Sequence, residues 1–267
     1  MRYEYKYLVR SDQLPRLRQL VAPFVDLDTY ARTSEQGLYT VRSIYFETPH
    51  FDFYTEKIEG VPNRKKLRIR GYNQPEAETT VFLEVKRKYQ TPTLKYRAPL
   101  HFEDVGMIFR GRSIETYVHN SPKYPEAEVN ARRFFYHMHS LQLRPAVLVV
   151  YEREAYQERC ATPNKLRITF DQNLRSMAYP TLDDLFSEKE NKPALPGYFV
   201  LEVKFNQTFP AWLSPVIDGL GLKRQALSKY VICMDSQDVR RHASRYQTQL
   251  QARFFHQPER TPPPHAE

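Results

Sequence analysis

Several short segments of the chain place apolar and charged residues in alternation, and this pattern constrains the fold more than any other feature of the sequence. Residues 81–88 (VFLEVKRK) alternate in this way, and residues 199–206 (FVLEVKFN) repeat the same LEVK core. A strand turns successive side chains to opposite faces, so each copy places a glutamate and a lysine side by side, opposite leucine and valine. The pattern predicts strands that have one packed face and one charged face.

The same alternation recurs along the chain and predicts an α+β architecture. Further strand-like segments, rich in β-branched and aromatic residues, are RYEYKYLV, LYTVRSIYFET, RKKLRIRGY, TLKYRAPL, PAVLVVYEREAYQ and NKLRITFDQ. Helical spacing predicts one helix after the first strand, a helical insert over residues 102–143 and further helices over residues 210–239. We therefore expect two sets of strands separated by a helical insert.

The charged faces of these strands hold many more cations than acids. A solvated face of an antiparallel sheet is the simplest explanation for any single strand. A solvated face usually mixes the two signs of charge, whereas these faces together hold ten cations and four acids. The cations are Lys6, Arg68, Arg70, Lys86, Lys88, Lys95, Arg97, Arg153, Arg167 and Lys204, and the acids are Glu4, Glu84, Asp171 and Glu202.

An enclosed surface with this excess of cations requires an anionic ligand. If the strands close into a barrel with their apolar faces outward, neighbouring cations inside repel one another by on the order of several kcal/mol. Arginine and lysine suit phosphate, arginine through two parallel hydrogen bonds and lysine as a compact charge. The acids suit Mg²⁺ or Mn²⁺, which bind oxygen ligands and bridge phosphates. The formal net charge of +9 agrees with an anionic partner but does not choose among phosphates, nucleic acid and an acidic membrane surface.

Other features argue against several common classes of site and location. Cys160 and Cys233 are the only cysteines, so neither a disulfide framework nor a zinc site is expected. No P-loop, GxGxxG or nucleophile-elbow motif is present. The N-terminal residues lack an apolar core for export, and no stretch approaches the roughly 20 apolar residues that span a bilayer. We therefore expect a cytoplasmic protein without a membrane segment.

The order of the motifs along the chain resembles a known family. The run YTVRSIYFETPHFDFYTEKIEGVPNRKKLRIRGY is followed by FLEVKRKY, YERE, LRITFDQNL, FVLEVKF and ALSKY. This ordered set resembles the polyphosphate polymerase domain of the vacuolar transporter chaperone (VTC) family, within the CYTH-like triphosphate tunnel metalloenzymes, over residues 1–236. The resemblance implies a closed antiparallel β-barrel tunnel of about eight strands, with helices packed on the outside, an ATP-type phosphate donor and a divalent metal.

The resemblance also implies roles for individual residues. The catalytic contacts to phosphates would come from Lys86, Arg68, Arg70, Arg153 and Lys204, and further phosphate or nucleotide contacts from Lys6, Lys88, Lys95, Arg97, Arg167, Ser228 and Lys229. Glu202 would be the main carboxylate for Mn²⁺ or Mg²⁺, with Glu4, Glu84 and Asp171 as further metal candidates. Hydrolytic relatives often begin with ExExK, whereas this chain has RYEYK, with Arg2 in place of the first acid. That difference favours polymerisation over two-metal hydrolysis.

The implied activity is that of an ATP:polyphosphate phosphotransferase, which moves the γ-phosphoryl group of ATP to a growing polyphosphate chain. Its partners would be ATP, polyphosphate, and pyrophosphate or phosphate. A metal-dependent inorganic triphosphatase or nucleoside triphosphatase is the alternative within the same fold. An alternative of another class is a protein that binds polyanions or nucleic acid without catalysis. Nucleic acid is not expected as a partner, because acids in phase with the cations would repel its backbone.

The length of the chain favours one domain. A chain of 267 residues, of which 41% are hydrophobic, can bury a substantial core. We expect a single VTC-type tunnel domain over residues 1–245. The remaining residues, 246–267, are rich in proline and polar side chains, and we expect them to form a disordered tail.

Overall fold

The computed structural model of the protein describes residues 2–34, 36–89, 93–160 and 162–240. The domain boundary expected near residue 245 and the expected tail lie outside these ranges. The described strands are β1 (Tyr3–Arg10), β2 (Val25–Leu27), β3 (Leu38–Glu47), β4 (Asn63–Tyr72), β5 (Thr80–Tyr89), β6 (Thr93–His101), β7 (Arg144–Glu158), β8 (Arg167–Ala178), β9 (Lys192–Pro193) and β10 (Tyr198–Phe205). The described α-helices are α1 (Leu14–Val21), α2 (Thr29–Arg32), α3 (Asp52–Ile58), α4 (Phe102–Phe109), α5 (Ile114–Tyr117), α6 (Ala127–Ser140), α7 (Leu213–Gly219) and α8 (Lys229–Ser236).

All ten strands belong to one antiparallel sheet. Eight of them form a continuous path in the order β1-β10-β8-β7-β3-β4-β5-β6, while β2 pairs with β7 and β9 pairs with β8. The expected closed barrel of about eight strands is therefore wrong in two respects. The sheet has ten strands, and no hydrogen-bonded pairing joins β1 to β6 in the part of the chain that the structure describes.

The outer edge of β1 is occupied by a different part of the chain, and this explains why the barrel is not closed by hydrogen bonds. The Gln225 amide donates to the Lys6 carbonyl oxygen at 2.9 Å, and Tyr7 forms an isolated bridge with Arg224. The segment between α7 and α8 thus uses backbone groups of β1 that closure would have given to β6.

The apolar faces of the strands pack outward against helices, as the alternating pattern predicts. Helices α4 and α6 cover β3 to β7, where Ile69 and Leu83 meet Phe134 in one buried cluster. Helices α1 and α7 cover β1, β8 and β10, where Leu201 meets Leu17 in a second cluster. Over the described ranges, no helix is both long enough and apolar enough to cross a bilayer.

Helix α8 departs from the expectation that helices pack on the outside. It contacts β7 and β8 on the opposite face of the sheet. There the ring of its Tyr230 packs against the ring of Tyr45, with the two centroids 4.9 Å apart. Tyr45 and Tyr151 belong to this third cluster, and both also face the charged interior. The interior is therefore partly filled by α8 and aromatic side chains, and the remaining space forms a bounded cavity.

Candidate functional site

The interior of the sheet contains a cavity of about 620 Å³. Most of its wall comes from β1, β4, β5, β7 and β10, and β3, α3, the segment 224–228 and the start of α8 contribute the rest. Among the described residues, fourteen cationic side chains line it, against two carboxylates, Glu4 and Glu202. The cations are Arg2, Lys6, Lys57, Arg64, Lys65, Lys66, Arg68, Arg70, Lys86, Lys88, Arg153, Lys204, Arg224 and Lys229.

The structure brings most of the residues singled out from the sequence to this cavity. Those that line it are Lys6, Arg68, Arg70, Lys86, Lys88, Arg153, Lys204, Ser228, Lys229, Glu4 and Glu202. Five others do not line it, because they are engaged in ion pairs behind its walls or at other parts of the sheet. They are Glu84, Lys95, Arg97, Asp171 and Arg167.

Glu84 is a structural counterion for three cations. Its carboxylate is 1% exposed and lies 2.6 Å from Arg68 Nη2 and 2.8 Å from Lys95 Nζ, and it also pairs with Arg97. Burial by itself would raise the pKa of Glu84, but Arg68 and the neighbouring cations hold that pKa well below its ordinary value. The carboxylate is therefore charged and fully engaged, which does not fit the expected role as a metal ligand.

Asp171 is a second counterion, placed behind the opposite wall. It receives two hydrogen bonds from Arg153, at 2.6 and 2.8 Å, and lies 2.5 Å from Lys229 Nζ. The same ammonium lies 2.6 Å from Glu202 Oε1, so Lys229 links the two carboxylates. Asp171 therefore positions Arg153 and Lys229 at the cavity and has no free oxygen facing it.

Arg167 lies away from the cavity because it binds other partners. Its guanidinium donates to Asp28 Oδ2 at 2.7 Å and to the Tyr39 hydroxyl at 3.2 Å. The strand alternation assigned Arg167 to the correct face of β8. That face runs along the whole strand, however, and only part of its length borders the cavity.

Glu4 and Glu202 are the two carboxylates that face the cavity, and lysines bridge them. Lys204 Nζ lies 3.3 Å from Glu4 Oε1 and 3.1 Å from Glu202 Oε2, and Lys6 Nζ lies 3.7 and 3.6 Å from the same two residues. Burial opposes ionisation, yet Lys229 and the other cations hold the pKa of Glu202 well below its ordinary value. Both oxygens of Glu202 are thus charged acceptors at the cavity surface.

These two carboxylates could bind a divalent cation only together with oxygen atoms of a bound phosphate ligand. No group of three or more His, Cys, Asp or Glu side chains within the described ranges is arranged to hold a metal ion. Mg²⁺ is commonly bound by one or two carboxylates together with phosphate oxygens and water. Glu4 and Glu202 supply hard oxygen donors of this kind, and the rest of the coordination would have to come from a bound phosphate.

The structure adds residues to the site that the sequence did not single out. Lys66 and Arg64 line the cavity from β4, in phase with Arg68 and Arg70. Continuing the alternation of RKKLRIRGY toward its first residues would have found them. Tyr45 also lines the cavity, and its hydroxyl accepts a hydrogen bond from Arg68 at 2.7 Å. It carries no charge, so the pattern of cations gave no signal for it.

The cations of the cavity differ in how far they are neutralised. On one side, Lys6, Lys204, Lys229 and Arg153 pair with Glu4, Glu202 or Asp171. On the other side, Lys66 of β4 and Lys86 of β5 stand directly opposite each other in the strand register. Neither forms an ion pair with any residue of the described ranges, so the β4–β5 wall presents uncompensated positive charge.

Glu47 lies behind this site, where it ties α3 to α8. Its carboxylate is 2% exposed, accepts a hydrogen bond from the Tyr230 hydroxyl, and accepts two more from the Thr48 and Phe53 amides at 3.1 and 3.2 Å. Burial raises the pKa of Glu47 to about 7, despite these three hydrogen bonds. Folding therefore takes up a proton at Glu47 between its ordinary pKa of 4.5 and pH 7.

This proton uptake predicts a pH-dependent contribution to stability. The contribution is fully present below about pH 4.5 and is lost as the pH rises to about 7, which lowers the free energy of unfolding by about 3 kcal/mol. Glu47→Gln cannot titrate, so its stability relative to the wild type should rise by that amount over the same interval. Urea unfolding at several pH values measures the difference. The exposed Glu76→Gln variant is the control, and parallel curves for wild type and Glu47→Gln would refute the prediction.

Two solved structures align with most of the chain at low sequence identity. A Hippeastrum protein described as a candidate adenylyl cyclase with a dominant triphosphatase activity has a TM-score of 0.45 and 12% identity, over 89% of this chain and 97% of that one. A protein from Pyrococcus horikoshii OT3 has a TM-score of 0.41 and 14% identity, over 93% and 99% of the two chains. Likeness at these scores supports no inference about this chain.

The sequence is also similar to a characterised protein and matches one family. It is 25% identical over 206 residues to vacuolar transporter chaperone complex subunit 4 of Trypanosoma brucei brucei, a match that covers 66% of this chain and 26% of that protein. The chain therefore spans about a quarter of the length of this relative. The family described as VTC domain matches residues 1–237, which include every residue that lines the cavity. The chain belongs to the VTC domain family.

Proposed function

We propose that this protein is a polyphosphate polymerase that transfers the γ-phosphoryl group of ATP to a polyphosphate chain inside the cationic cavity. The observation that carries the proposal is the excess of fourteen cations over two carboxylates among the described residues that line one half-open cavity. Such a wall is stabilised by a ligand of high negative charge density, and a phosphate chain supplies one. Membership of the VTC domain family agrees with this ligand class.

The two sides of the cavity suit different parts of the reaction. Lys86, Arg68 and Arg70 on the β4–β5 side would hold the phosphates of the donor and acceptor in line. Lys6, Lys204 and Arg153 on the other side would neutralise charge that develops on the transferred group. The acceptor is itself an anionic phosphate oxygen, so no protein nucleophile is needed. Catalysis then consists of positioning the two phosphates and neutralising their mutual repulsion.

A divalent cation would be held by Glu202, with Glu4 beside it. When bound, it would supply positive charge that offsets the charge of the phosphates. The cationic side chains around Glu202 would position its carboxylate and bind phosphate. Lys229 and Arg153 fix the Glu202 carboxylate on its inner side, while Lys204 and Lys6 can turn from the carboxylates to phosphate oxygens.

Hydrolysis of tripolyphosphate or a nucleoside triphosphate is the second candidate function. It would use the same cavity but needs an activated water in place of the acceptor phosphate. The pairing of Glu4 and Glu202 with lysines favours transfer over hydrolysis, because a carboxylate held by ammonium groups is a weak base.

One assay separates the two candidates. The protein is incubated with ATP and either Mg²⁺ or Mn²⁺, and the products are measured as polyphosphate on gels, ADP and free phosphate. Polymer with matching ADP supports the proposal. Free phosphate without polymer under every metal condition supports hydrolysis and overturns it. A separate binding experiment tests the nucleic-acid alternative. Single-stranded RNA should not displace bound tripolyphosphate at physiological salt, since the proposed ligand is a phosphate chain without bases.

The proposed role of Glu202 predicts a change in metal dependence. Glu202→Gln keeps the shape of the side chain but removes its charge, so a metal bound there loses its main carboxylate. We expect the Mg²⁺ or Mn²⁺ concentration for half-maximal activity to rise about tenfold or more. A metal titration of activity measures this shift, and circular dichroism checks that the variant is folded. An unchanged metal requirement in a folded Glu202→Gln protein would place the metal elsewhere.

A further inference from the structure

Lys66 occupies an unusual position in the cavity. Its Nζ donates to Ser228 Oγ at 3.0 Å and lies 4.4 Å from the centroid of the Tyr230 ring. It forms no ion pair with any carboxylate in the parts of the chain that the structure describes. A half-buried lysine whose direct contacts are a hydroxyl and an aromatic face lacks the carboxylate counterion that a buried ammonium usually has.

The four charged groups that act most strongly on Lys66 are cations. Lys86 stands directly across from it on β5, Arg68 follows it on β4, Lys6 faces it from β1, and Lys57 faces it from α3. The titratable group on α8 that touches it is the Tyr230 phenol, whose pKa burial and Glu47 hold well above the ordinary value, so that group stays neutral. Burial and these four cations lower the pKa of Lys66 well below its ordinary value.

We propose that Lys66 is a further phosphate-binding residue of this cavity, and that its amine takes up a proton from the solvent when a phosphate chain binds. The proposal deepens the proposed function and rests on it, because it takes the ligand to be a phosphate chain. The proton comes from the buffer, and none is exchanged with the reacting phosphates.

Electrostatics gives the reason for the coupling. In the empty cavity, an ammonium at Lys66 would face Lys86 and Lys6 without a counterion, so the neutral amine is favoured. A bound phosphate chain adds several negative charges beside it and reverses that balance. Binding and protonation then favour each other by the same free energy, so binding should weaken as the pH rises through the range in which the free amine loses its proton. The hydrogen bond to Ser228 would be exchanged for one to a phosphate oxygen.

The test measures proton uptake directly. Binding of sodium tripolyphosphate to the full chain, without nucleotide or added metal, is followed by isothermal titration calorimetry in two buffers of different ionisation enthalpy. The number of protons taken up follows from the difference in heat. Three proteins are compared with the wild type: Lys66→Met, Lys66→Arg and the matched control Lys189→Met, which removes an exposed lysine that does not line the cavity.

The expected results differ for each variant. Lys66→Arg remains charged at all pH values, so it should bind about as tightly as the wild type or more tightly, with about one proton less taken up. Lys66→Met should lose the same proton and bind about tenfold more weakly. Lys189→Met should match the wild type in both measures. Protons carried by tripolyphosphate itself contribute equally in all four proteins and cancel in the comparison.

Two outcomes separate this inference from the function on which it rests. Equal proton uptake by wild type, Lys66→Met and Lys66→Arg would overturn the role of Lys66, even if the wild type forms polyphosphate from ATP. Loss of one proton in both variants would support that role, even if the wild type only hydrolyses ATP and the polymerase proposal fails. If the wild type does not bind tripolyphosphate, both proposals are overturned.

Discussion

Polyphosphate formation should fall about 10²- to 10³-fold in the Lys86→Met variant, which should remain folded. Lys86 lies on the uncompensated side of the cavity, opposite Lys66 and close to Arg68. Solvent in the cavity reaches its ammonium, but the surrounding walls still lower the pKa of Lys86, with Lys6 and Arg68 adding to the effect and Glu4 opposing it. Phosphate would be its first strong partner, so its charge stabilises the bound and reacting chain rather than the fold.

The fold should tolerate this change because methionine keeps the length of the side chain and Lys86 is exposed to the cavity rather than packed in the core. Polymer formation from ATP is measured at saturating metal, with Lys189→Met as the control for loss of one lysine. Thermal unfolding of both variants should stay near that of the wild type. A folded Lys86→Met protein with more than half of the wild-type rate would exclude Lys86 from the catalytic contacts.

Glu84→Gln should lower the free energy of unfolding by about 3–5 kcal/mol. The replaced carboxylate is buried beneath the cavity and pairs with Arg68, Lys95 and Arg97. Glutamine has nearly the same shape, but it leaves the mostly buried Arg68 and Arg97 and the more exposed Lys95 without their shared counterion. A large loss of stability, rather than a specific loss of metal binding, is therefore the expected effect at this first LEVK motif.

The pH dependence of the same contribution has a definite sign. The pKa of Glu84 is depressed in the folded protein, so its contribution is present above the ordinary value of 4.5 and is lost as the pH falls toward the folded value. Urea unfolding of Glu84→Gln, with Glu76→Gln as an exposed control, measures the loss at neutral pH. The gap between wild type and Glu84→Gln should narrow on acidification. A loss below about 1 kcal/mol would mean that the three cations are adequately hydrated.

Much of the site could be predicted from strand alternation alone. The faces of β1, β4, β5, β7 and β10 were identified correctly, because a side chain's face depends only on its position along a strand. That is why Lys86 and Glu202, far apart in the chain, could both be assigned to one interior. The same reasoning, extended two residues, would have included Lys66.

Alternation could not show which charged side chains on a strand face line the cavity and which are buried behind its wall. Glu84 and Glu202 occupy equivalent places in the two LEVK motifs and both pair with several cations, yet of these two carboxylates only Glu202 lines the cavity. The difference comes from neighbouring strands, since Arg97 on β6 and Arg68 on β4 flank Glu84 in the register, whereas Lys6 on β1 and Thr169 on β8 flank Glu202. A sequence pattern within one strand carries no information about the strands on either side.

The sequence by itself determined the antiparallel strands, their two faces and the excess of cations on one of them, because these follow from local periodicity and composition. Only the tertiary structure decided that the sheet stays open between β1 and β6 within the described chain, that α8 fills part of the interior, and that Lys66 and Lys86 remain without carboxylate partners there. These features depend on which distant segments of the chain come into contact. Those contacts decide which charged side chains are paired with an opposite charge and which remain available to bind a ligand.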